Sequence, residues 1–407
     1  MTNRITELIK LELKRQQEGL CMIPSENYVS RDILKVLGTP LTNKYSEGYP
    51  DKRYYSGNIY IDEIENIARE KACKLFGMPH ANVQPHSGSS ANFAAYFALL
   101  EVGDTILSLD LNAGAHITHG NKFNFSGKYY NVIHYGVKED ETIDFDQVGS
   151  LAKEIKPKLI VSGTTSYPRT LDFERFTKIA HGVGALHMAD ISHIAGLIIA
   201  GEHPSSSSAD VVTSTTHKTL RGPRGAIILC QEDFAKKIDR AIFPGTQGGP
   251  LDNVVAAKAV CFEEAGTESF RKYQKQIIKN AQALAKSLMS NGIRLVTGGT
   301  DNHLIVADLT ALGVTGNEAS IALEQATIYV NKNVIPFEKR SSNDPSGIRL
   351  GTPALTTRGL LENDMQEIGE WISKILKDHS NTTIIESVKK DVSDLMANHP
   401  IYEDLDI

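Results

Sequence analysis

The sequence predicts an α/β fold, with a large domain built on a mostly parallel sheet and a smaller C-terminal α/β domain. From about residue 60, short apolar runs of strand length alternate with amphipathic helical patterns. The chain has 407 residues, which is more than one hydrophobic core usually serves. Hydrophobic residues make up 41% and charged residues 23%, as in globular proteins. We expect a helical arm at residues 1–24, a large domain at 25–270 and a small domain at 271–407.

The elements of the large domain follow from their periodicity. Residues 1–20 form an amphipathic helical pattern, and so do residues 61–77 and 91–103, which we expect to end at Gly77 and Gly103. Apolar runs that predict strands lie at 104–111, 129–136, 157–163, 185–190, 210–216 and 225–230. A helical pattern at 172–184 separates two of these strands, as a parallel sheet requires.

The C-terminal part predicts a second set of elements. Residues 253–290 read as long helix with a break near Thr267. Strands are expected at 294–297 and 303–309, and helices at 317–326 and 362–379. These elements form the predicted small domain.

Composition excludes several classes of function. A net charge of −6 gives no reason to expect nucleic-acid binding. No apolar run approaches the length of a membrane span. The four cysteines are too widely spaced to suggest a metal site or a disulfide framework, and we expect small buried hydrophobic residues instead. A cytoplasmic protein without a bound metal is predicted.

Two polar residues follow neighbouring predicted strands. Asp190 ends the run 185–190, and Lys218 follows the run 210–216. Alone, the first could be a capping residue and the second a surface charge. Together at the carboxyl edge of a sheet they suit pyridoxal phosphate, because the lysine can form a Schiff base and the aspartate can keep the pyridine nitrogen protonated.

A third motif supports the same cofactor. Ser87, Gly88 and Ser89 precede a predicted helix, and free amides at a helix N-terminus bind anions such as a cofactor phosphate. Neither GxGxxG nor GxxxxGK[ST] occurs in the chain to indicate a nucleotide instead.

Seven motifs resemble the serine hydroxymethyltransferase family over residues 5–390. They are LTNKYSEGYPDKRYYSG (41–57), ANVQPHSGSSANF (81–93), DISHIAGLI (190–198), TTHKTLRGPRGA (215–226), FPGTQGGP (243–250), GGTDNHL (298–304) and SGIRLGTPALTTRG (346–359). The resemblance implies the aspartate-aminotransferase-like fold, type I of the pyridoxal-phosphate enzymes. It also implies reversible conversion of L-serine and tetrahydrofolate into glycine and 5,10-methylenetetrahydrofolate through an external aldimine, a step of one-carbon metabolism and amino-acid biosynthesis.

The resemblance also implies residue roles. Lys218 is the expected Schiff-base lysine, and Glu47 the expected acid–base group. The other residues expected to act in catalysis or to bind the cofactor are Tyr45, Ser87, Gly88, Ser89, His116, Thr165, Asp190, His193, Thr215, His217, Arg224, Gly248 and Gly249. Arg349 is expected to bind the amino-acid carboxylate in a bidentate manner, and the other residues expected to bind the substrate are Ser25, Glu47, Tyr54, Tyr55 and His193.

The resemblance implies a homodimer with shared active sites and leaves a tetramer open. Tyr45, Glu47, Tyr54 and Tyr55 belong to a stretch that enters the partner's site, and Gly248 with Gly249 reaches the partner's phosphate. Serine, glycine and tetrahydrofolate are the small-molecule partners, with no nucleic acid and no membrane.

The folate site departs from the family pattern. Its expected residues are Glu47, Leu111, Ala115, His116, Ile117 and Ser341. Ala115 replaces a usual glycine, and residues 338–349 lack the Ser-Pro-Phe that often lines the folate pocket. Pro24 and Ser90 also differ from the usual residues.

Two other functions remain open at this point. A folate-independent aldolase acting on β-hydroxy amino acids, of the threonine or allo-threonine type, would need the same cofactor residues. A non-catalytic binding protein on the same fold would not need Lys218, Asp190 and Arg349 together, so these residues speak against it.

Overall fold

The computed structural model describes residues 2–405, which form two compact units. The large unit comprises residues 29–165 and 170–275. The small unit comprises residues 2–28, 166–169 and 276–405, and so draws on three separate segments. The domain boundaries predicted at residues 24 and 270 stay a prediction.

The helices and strands are numbered in chain order. The helices are α1 (Thr2–Glu18), α2 (Arg31–Leu37), α3 (Ile59–Phe76), α4 (Gly88–Leu99), α5 (Phe125–Tyr129), α6 (Phe145–Ile155), α7 (Phe173–Gly182), α8 (Ala195–Ala200), α9 (Ala235–Arg240), α10 (Asp252–Ala265), α11 (Glu268–Ser290), α12 (Gly316–Gln325), α13 (Pro353–Thr357), α14 (Glu362–Lys377) and α15 (Thr382–Ala397). The strands are β1 (Leu20–Cys21), β2 (Gly48–Tyr49), β3 (Lys52–Arg53), β4 (His80–Asn82), β5 (Thr105–Leu109), β6 (Asn131–Tyr135), β7 (Leu159–Ser162), β8 (Leu186–Asp190), β9 (Val211–Thr215), β10 (Ala226–Cys230), β11 (Arg294–Leu295), β12 (Leu304–Asp308), β13 (Ile328–Tyr329), β14 (Asn331–Asn333) and β15 (Gly347–Gly351).

A seven-stranded sheet organises the large unit, in the order β4-β10-β9-β8-β7-β5-β6. The neighbours from β9 to β6 are parallel, whereas β10 runs antiparallel to both β9 and β4. All residues of β7, β9 and β10 are buried, as is typical of strands covered on both faces. β7 and β10 are largely apolar, whereas β9 ends in three buried hydroxyl residues. The predicted α/β class with a mostly parallel sheet is confirmed.

An antiparallel sheet of order β11-β12-β15-β14 organises the small unit, and β1 pairs with β13 beside it. The buried guanidinium of Arg358 fastens two helix ends of this unit. It donates to the carbonyl oxygens of Gln16 and Gln17 at the end of α1, and to those of Met396 and His399 at the end of α15. A single cation therefore satisfies carbonyl groups that a helix end leaves without partners.

Most predicted elements are present, with instructive exceptions. Gly77 ends α3 in a left-handed conformation as predicted, and the break near Thr267 separates α10 from α11. The prediction that Gly103 ends the next helix is wrong, because α4 stops at Leu99 and Leu100 is already extended. Gly103 lies instead in a turn before β5, at φ 93°. The predicted strand at 294–297 is shortened to β11, since its last residues enter a 3₁₀ turn.

Within residues 2–405, no helix is both long enough and apolar enough to cross a membrane. Cys21, Cys230 and Cys261 are buried, as predicted, while Cys73 is partly exposed, and all four are free thiols.

Candidate active site

The ends of β8 and β9 lie side by side in the large unit. Asp190 is the last residue of β8 and faces Thr213 of β9 in the parallel register. Lys218 follows the end of β9 by three residues and is buried, with 9% of its surface exposed. Residues 216–225, between β9 and β10, form the lysine loop. The hydroxyl of Thr219 in this loop donates to the carbonyl oxygen of His193, and this bond holds the loop against the segment after β8.

Asp190 is a buried carboxylate fixed from both sides. Its Oδ1 accepts from the amide and hydroxyl of Ser192, and its Oδ2 accepts from Asn92 at 2.9 Å and lies 3.1 Å from Nε2 of His119. Burial alone raises the pKa of Asp190, but hydrogen bonds and charge from His119, with smaller contributions from His116 and Asn92, hold it well below its usual range. The carboxylate is therefore ionised at neutral pH.

His116, one of the predicted cofactor-binding residues, is joined to Asp190 through the side chains of Thr118 and Asn92. Nδ1 of His116 lies 2.7 Å from the Thr118 hydroxyl, which accepts from the same Asn92 amide that binds Asp190. Sequence reasoning missed Asn92, Thr118, His119 and Ser192 as members of this network. The available signal was Asn92 itself, a polar residue on the buried side of an otherwise apolar helix pattern.

Ser87, Gly88 and Ser89, here called the serine loop, form the start of α4 and the residue before it. Ser87 caps the 12-residue helix: its hydroxyl accepts from the amide of Ser90, and the Ser90 hydroxyl accepts from the amide of Ser87. Ser90, one of the departures from the family pattern, thus completes a capping box. A Cβ at Gly88 would lie 2.7 Å from Cγ2 of Thr215, so only glycine allows the helix start to approach the end of β9 this closely.

Four further predicted residues lie in the same unit. The amide of Thr165 donates to the carbonyl oxygen of Gly114, which places Thr165 beside the His116 segment. His193 is buried, and Arg224 is exposed. Nδ1 of His217 is buried without a hydrogen-bond partner among the described residues, and burial and the charge of Lys218 lower the pKa of His217 to about 3.

Glu47 belongs to a second cluster in the large unit. A Cβ at Gly248 would lie 3.1 Å from Oε1 of Glu47, and one at Gly249 would lie 3.4 Å from the Tyr45 ring. The rings of Tyr45 and Tyr55 meet edge to face at 5.2 Å. The structure therefore groups Glu47 with residues predicted to enter the partner's site.

Arg53 fixes the backbone on both sides of Glu47. Its Nη1 donates to the carbonyl oxygens of Ser46 and Gly48, and its Nη2 forms a buried ion pair with Glu65 at 2.7 Å. Glu47 thus projects from a rigid segment.

Three tyrosines of residues 45–55 are exposed and do not belong to the hydrophobic core. Tyr54 is 73% exposed, Tyr55 50% and Tyr45 54%, although Tyr54 also meets Phe243 edge to face. Such exposure of large rings in one short segment is typical of a surface that contacts another protein.

Three predicted folate residues of the large unit, unlike Glu47, lie close to His116 in the chain. Leu111 begins a 3₁₀ turn, Ala115 is buried, and Ile117 is 53% exposed at the start of the next turn.

The small unit contains the predicted carboxylate ligand, Arg349, on β15. Its Nε donates to Oδ1 of Asn331 at 3.0 Å, and burial lowers its pKa to about 10. Ser25 lies in the turn after β1. Pro24 packs against β15, where a Cβ at Gly351 would lie 2.6 Å from Cα of Pro24.

The segment that departs from the Ser-Pro-Phe pattern also lies in the small unit and is closed by its own bonds. Arg340 pairs with Asp344 at 3.2 Å, and the amide and hydroxyl of Ser346 donate to Glu338. Ser341 is exposed within this loop, and its hydroxyl accepts from the amide of Asn343.

Comparisons with known proteins indicate the family of this chain. The family model described as serine hydroxymethyltransferase matches residues 1–372. A serine hydroxymethyltransferase of Methanospirillum hungatei JF-1 is 52% identical over 403 residues, which cover 98% of this chain and 97% of the relative. Enzymes of this family are transferases of pyridoxal-phosphate fold type I that use tetrahydrofolate as co-substrate. The chain therefore belongs to the serine hydroxymethyltransferase family.

Proposed function

We propose that this chain transfers the hydroxymethyl carbon of L-serine reversibly to tetrahydrofolate, giving glycine and 5,10-methylenetetrahydrofolate. The observation that carries this proposal is the position of Lys218 directly after β9, beside the strand that ends at the ionised Asp190. This is the pair of groups that pyridoxal 5'-phosphate chemistry requires.

The residues present fit the cofactor. Gly88 leaves the start of α4 open next to Thr215, where the amides of Gly88 and Ser89, together with the side chain of Ser87, would hold the phosphate. Nδ1 of His217 is a buried polar atom without a partner among the described residues. When bound, pyridoxal 5'-phosphate supplies an aldehyde for amines and a ring that withdraws electrons from the substrate carbon.

We assign the remaining roles to the chain's own groups. Nζ of Lys218 would bind the cofactor covalently, and Asp190 would hold a proton on the ring nitrogen. His116 would stack on the ring, while Thr165, His193 and Arg224 would complete its surroundings. Arg349 would bind the amino-acid carboxylate together with Ser25, because its planar fork matches two carboxylate oxygens.

Glu47 would move the proton needed as the one-carbon unit passes between serine and folate. A carboxyl group serves this purpose when its surroundings allow both protonation states near neutral pH. The folate would lie along Leu111, Ala115, Ile117 and Ser341.

The active unit is proposed to be a homodimer. The grouping of Glu47, Tyr45 and Tyr55 with Gly248 and Gly249, and the exposure of the aromatic segment, support donation of this cluster to the partner's site. A cytoplasmic location is proposed because all four cysteines are free thiols, as a reducing compartment favours.

The decisive experiment is serine turnover with and without tetrahydrofolate, accompanied by borohydride reduction. Reduction should fix the cofactor to Lys218, and peptide mass spectrometry locates the labelled residue. Lys218→Ala should remain folded and retain no cofactor after reduction. Turnover of serine that does not depend on tetrahydrofolate, or label on another lysine, would contradict the proposal.

A further inference from the structure

Lys258 is a buried lysine that has no role in the reaction described above. It lies on α10, is 1% exposed, and is among the largest fully buried side chains of the chain. Its Nζ donates to the carbonyl oxygens of Val83 at 2.7 Å, Pro85 at 3.1 Å and Ala226 at 2.8 Å. An ammonium has three N–H donors, so all three are used. Burial of such a group is costly unless it has partners of this kind.

The three carbonyl groups belong to two segments of the candidate site. Val83 and Pro85 lead from β4 into the serine loop, and Ala226 opens β10 directly after the lysine loop. The amide of Ala226 also donates to the carbonyl oxygen of Pro85 at 3.2 Å. Lys258 passes between the two segments at Gly225, where a Cβ would lie 2.6 Å from its Cε.

The side chain of Gln247 binds backbone groups of residues 83–86 that Lys258 does not contact. Oε1 of Gln247 accepts from the amide of His86, and its Nε2 donates to the carbonyl oxygen of Gln84. Each of the four residues 83–86 therefore has a backbone group bound to Lys258 or Gln247. The segment that positions the serine loop is fixed by these side chains.

We propose that Lys258 is a positioning residue for the cofactor phosphate: it holds residues 83–86 so that the amides at the start of α4 converge on one anion. The proposal rests on the proposed function, because it takes the serine loop as the phosphate site. Its distinguishing consequence is that Lys258 matters for the phosphate group and not for the pyridine ring, which other residues would bind. Preorganised donors bind an anion more tightly than donors that must first be ordered.

The test compares two ligands that differ only in the phosphate. Apo protein would be titrated by equilibrium dialysis with pyridoxal 5'-phosphate and with pyridoxal. Lys258→Met should weaken binding of pyridoxal 5'-phosphate by about tenfold or more, the change expected when bonds to a charged donor are lost. Its affinity for pyridoxal should equal that of the wild type. Lys237→Met, which removes an exposed lysine of the same unit, should change neither affinity.

The outcomes separate the inference from the function on which it rests. Wild-type protein that does not bind pyridoxal 5'-phosphate would overturn the proposed function. Wild-type binding with equal losses for both ligands in Lys258→Met, or with no loss, would overturn the role of Lys258 alone. Lys258→Gln keeps two N–H donors and replaces the methionine variant if that variant does not fold. It should weaken pyridoxal 5'-phosphate binding at least about threefold, less than full removal of the charged donor, and leave pyridoxal binding unchanged.

Discussion

The side-chain amide of Asn92 donates a hydrogen bond to Oδ2 of Asp190 over 2.9 Å. Asn92 is itself fixed, because its oxygen accepts from the hydroxyl of Thr213 at 2.6 Å. A residue of α4 thus sets the orientation of a carboxylate at the end of β8, and does so through a neutral group that favours the ionised form.

Asn92→Leu should raise the pKa of Asp190 and weaken its hold on the proton of the cofactor ring. Loss of one hydrogen bond to a buried charge costs about 1.5–3 kcal/mol, so we expect kcat to fall about tenfold or more. The measurements are kcat at neutral pH and the absorbance spectrum of the bound cofactor, which reports the protonation of the ring nitrogen. Asn131→Leu, at an exposed strand position, is the control. A lower kcat with an unchanged cofactor spectrum would show that Asn92 does not act through Asp190.

Glu47→Gln separates folate transfer from simple cleavage of β-hydroxy amino acids. The amide keeps the shape of the side chain but cannot shuttle a proton, so folate-dependent serine cleavage should fall roughly 100-fold or more. Cleavage of allo-threonine, which needs no folate, should fall much less. Both rates are measured on the same preparation, and an equal loss in the two reactions would argue against the folate role of Glu47.

Mixed protomers test the shared site. Lys218→Ala and Glu47→Gln protomers should each be poorly active alone, and joint refolding or subunit exchange should restore part of the activity. A heterodimer would contain one site with both native residues if Glu47 acts in the partner's site. Absence of rescue, in a mixture shown by mass spectrometry to contain heterodimers, would place Glu47 and Lys218 in the same subunit's site.

Arg349→Ala should raise the KM for serine steeply. Truncating one partner of a desolvated, hydrogen-bonded charge pair costs about 2–5 kcal/mol. Arg349→Lys should recover little, since a point charge cannot match the planar fork. Asn331→Ala, which removes the acceptor of the Arg349 Nε bond, should raise KM only modestly. A near-normal KM in the lysine variant would mean that another residue binds the carboxylate.

His187 predicts a specific sensitivity to acid. It is fully buried between Ser162 and Thr177, and burial, assisted by the charge of His181, lowers its pKa to about 3. Between pH 6.5 and 3 the unfolded chain therefore binds one proton that the folded chain does not. This difference reduces the free energy of unfolding by about 1.4 kcal/mol for each pH unit below 6.5.

The check on His187 is denaturant unfolding of the wild type and His187→Gln across this pH range. The variant should be less stable at pH 7, because its bonds to Ser162 and Thr177 are imperfect, and the gap should narrow as the pH falls. Parallel stability curves would show that His187 does not carry the proton difference.

The elements that could be predicted from the sequence are those whose residue pattern lies entirely within the element. β7 and β10 of the large sheet are largely apolar runs, and Gly77 ends α3 by adopting a conformation that other residues avoid. The short strand β4 and the helix α15 were missed. β4 has three residues, too few for a period, and its place in the sheet comes from pairing with the distant β10.

The candidate site was predictable only as far as motifs reach. Asp190, Lys218 and the serine loop can be recognised in the sequence, because their residue types are typical of active sites and they lie at strand and helix ends. The side chains that orient them, such as Asn92 and Lys258, come from helices elsewhere in the chain, and their bonds exist only after packing. A polar residue in a helix pattern does not reveal its partner, because that partner is set by tertiary structure.

Because the chain is synthesised from its N-terminus, the end of α1 is made long before Arg358, which binds it. Gln17 precedes Arg358 by 341 residues, so the end of α1 has no guanidinium partner until nearly the whole chain has been synthesised. The residues of the large unit lie between Gln17 and Arg358 in the sequence, and the last strand of this unit ends at residue 230. During translation the large sheet can form first, while the end of the amphipathic N-terminal helix lacks its guanidinium partner until residue 358 has been made. In a nascent chain stalled before residue 358, the end of α1 at Gln16 and Gln17 should therefore be cut by proteases faster than in the finished protein.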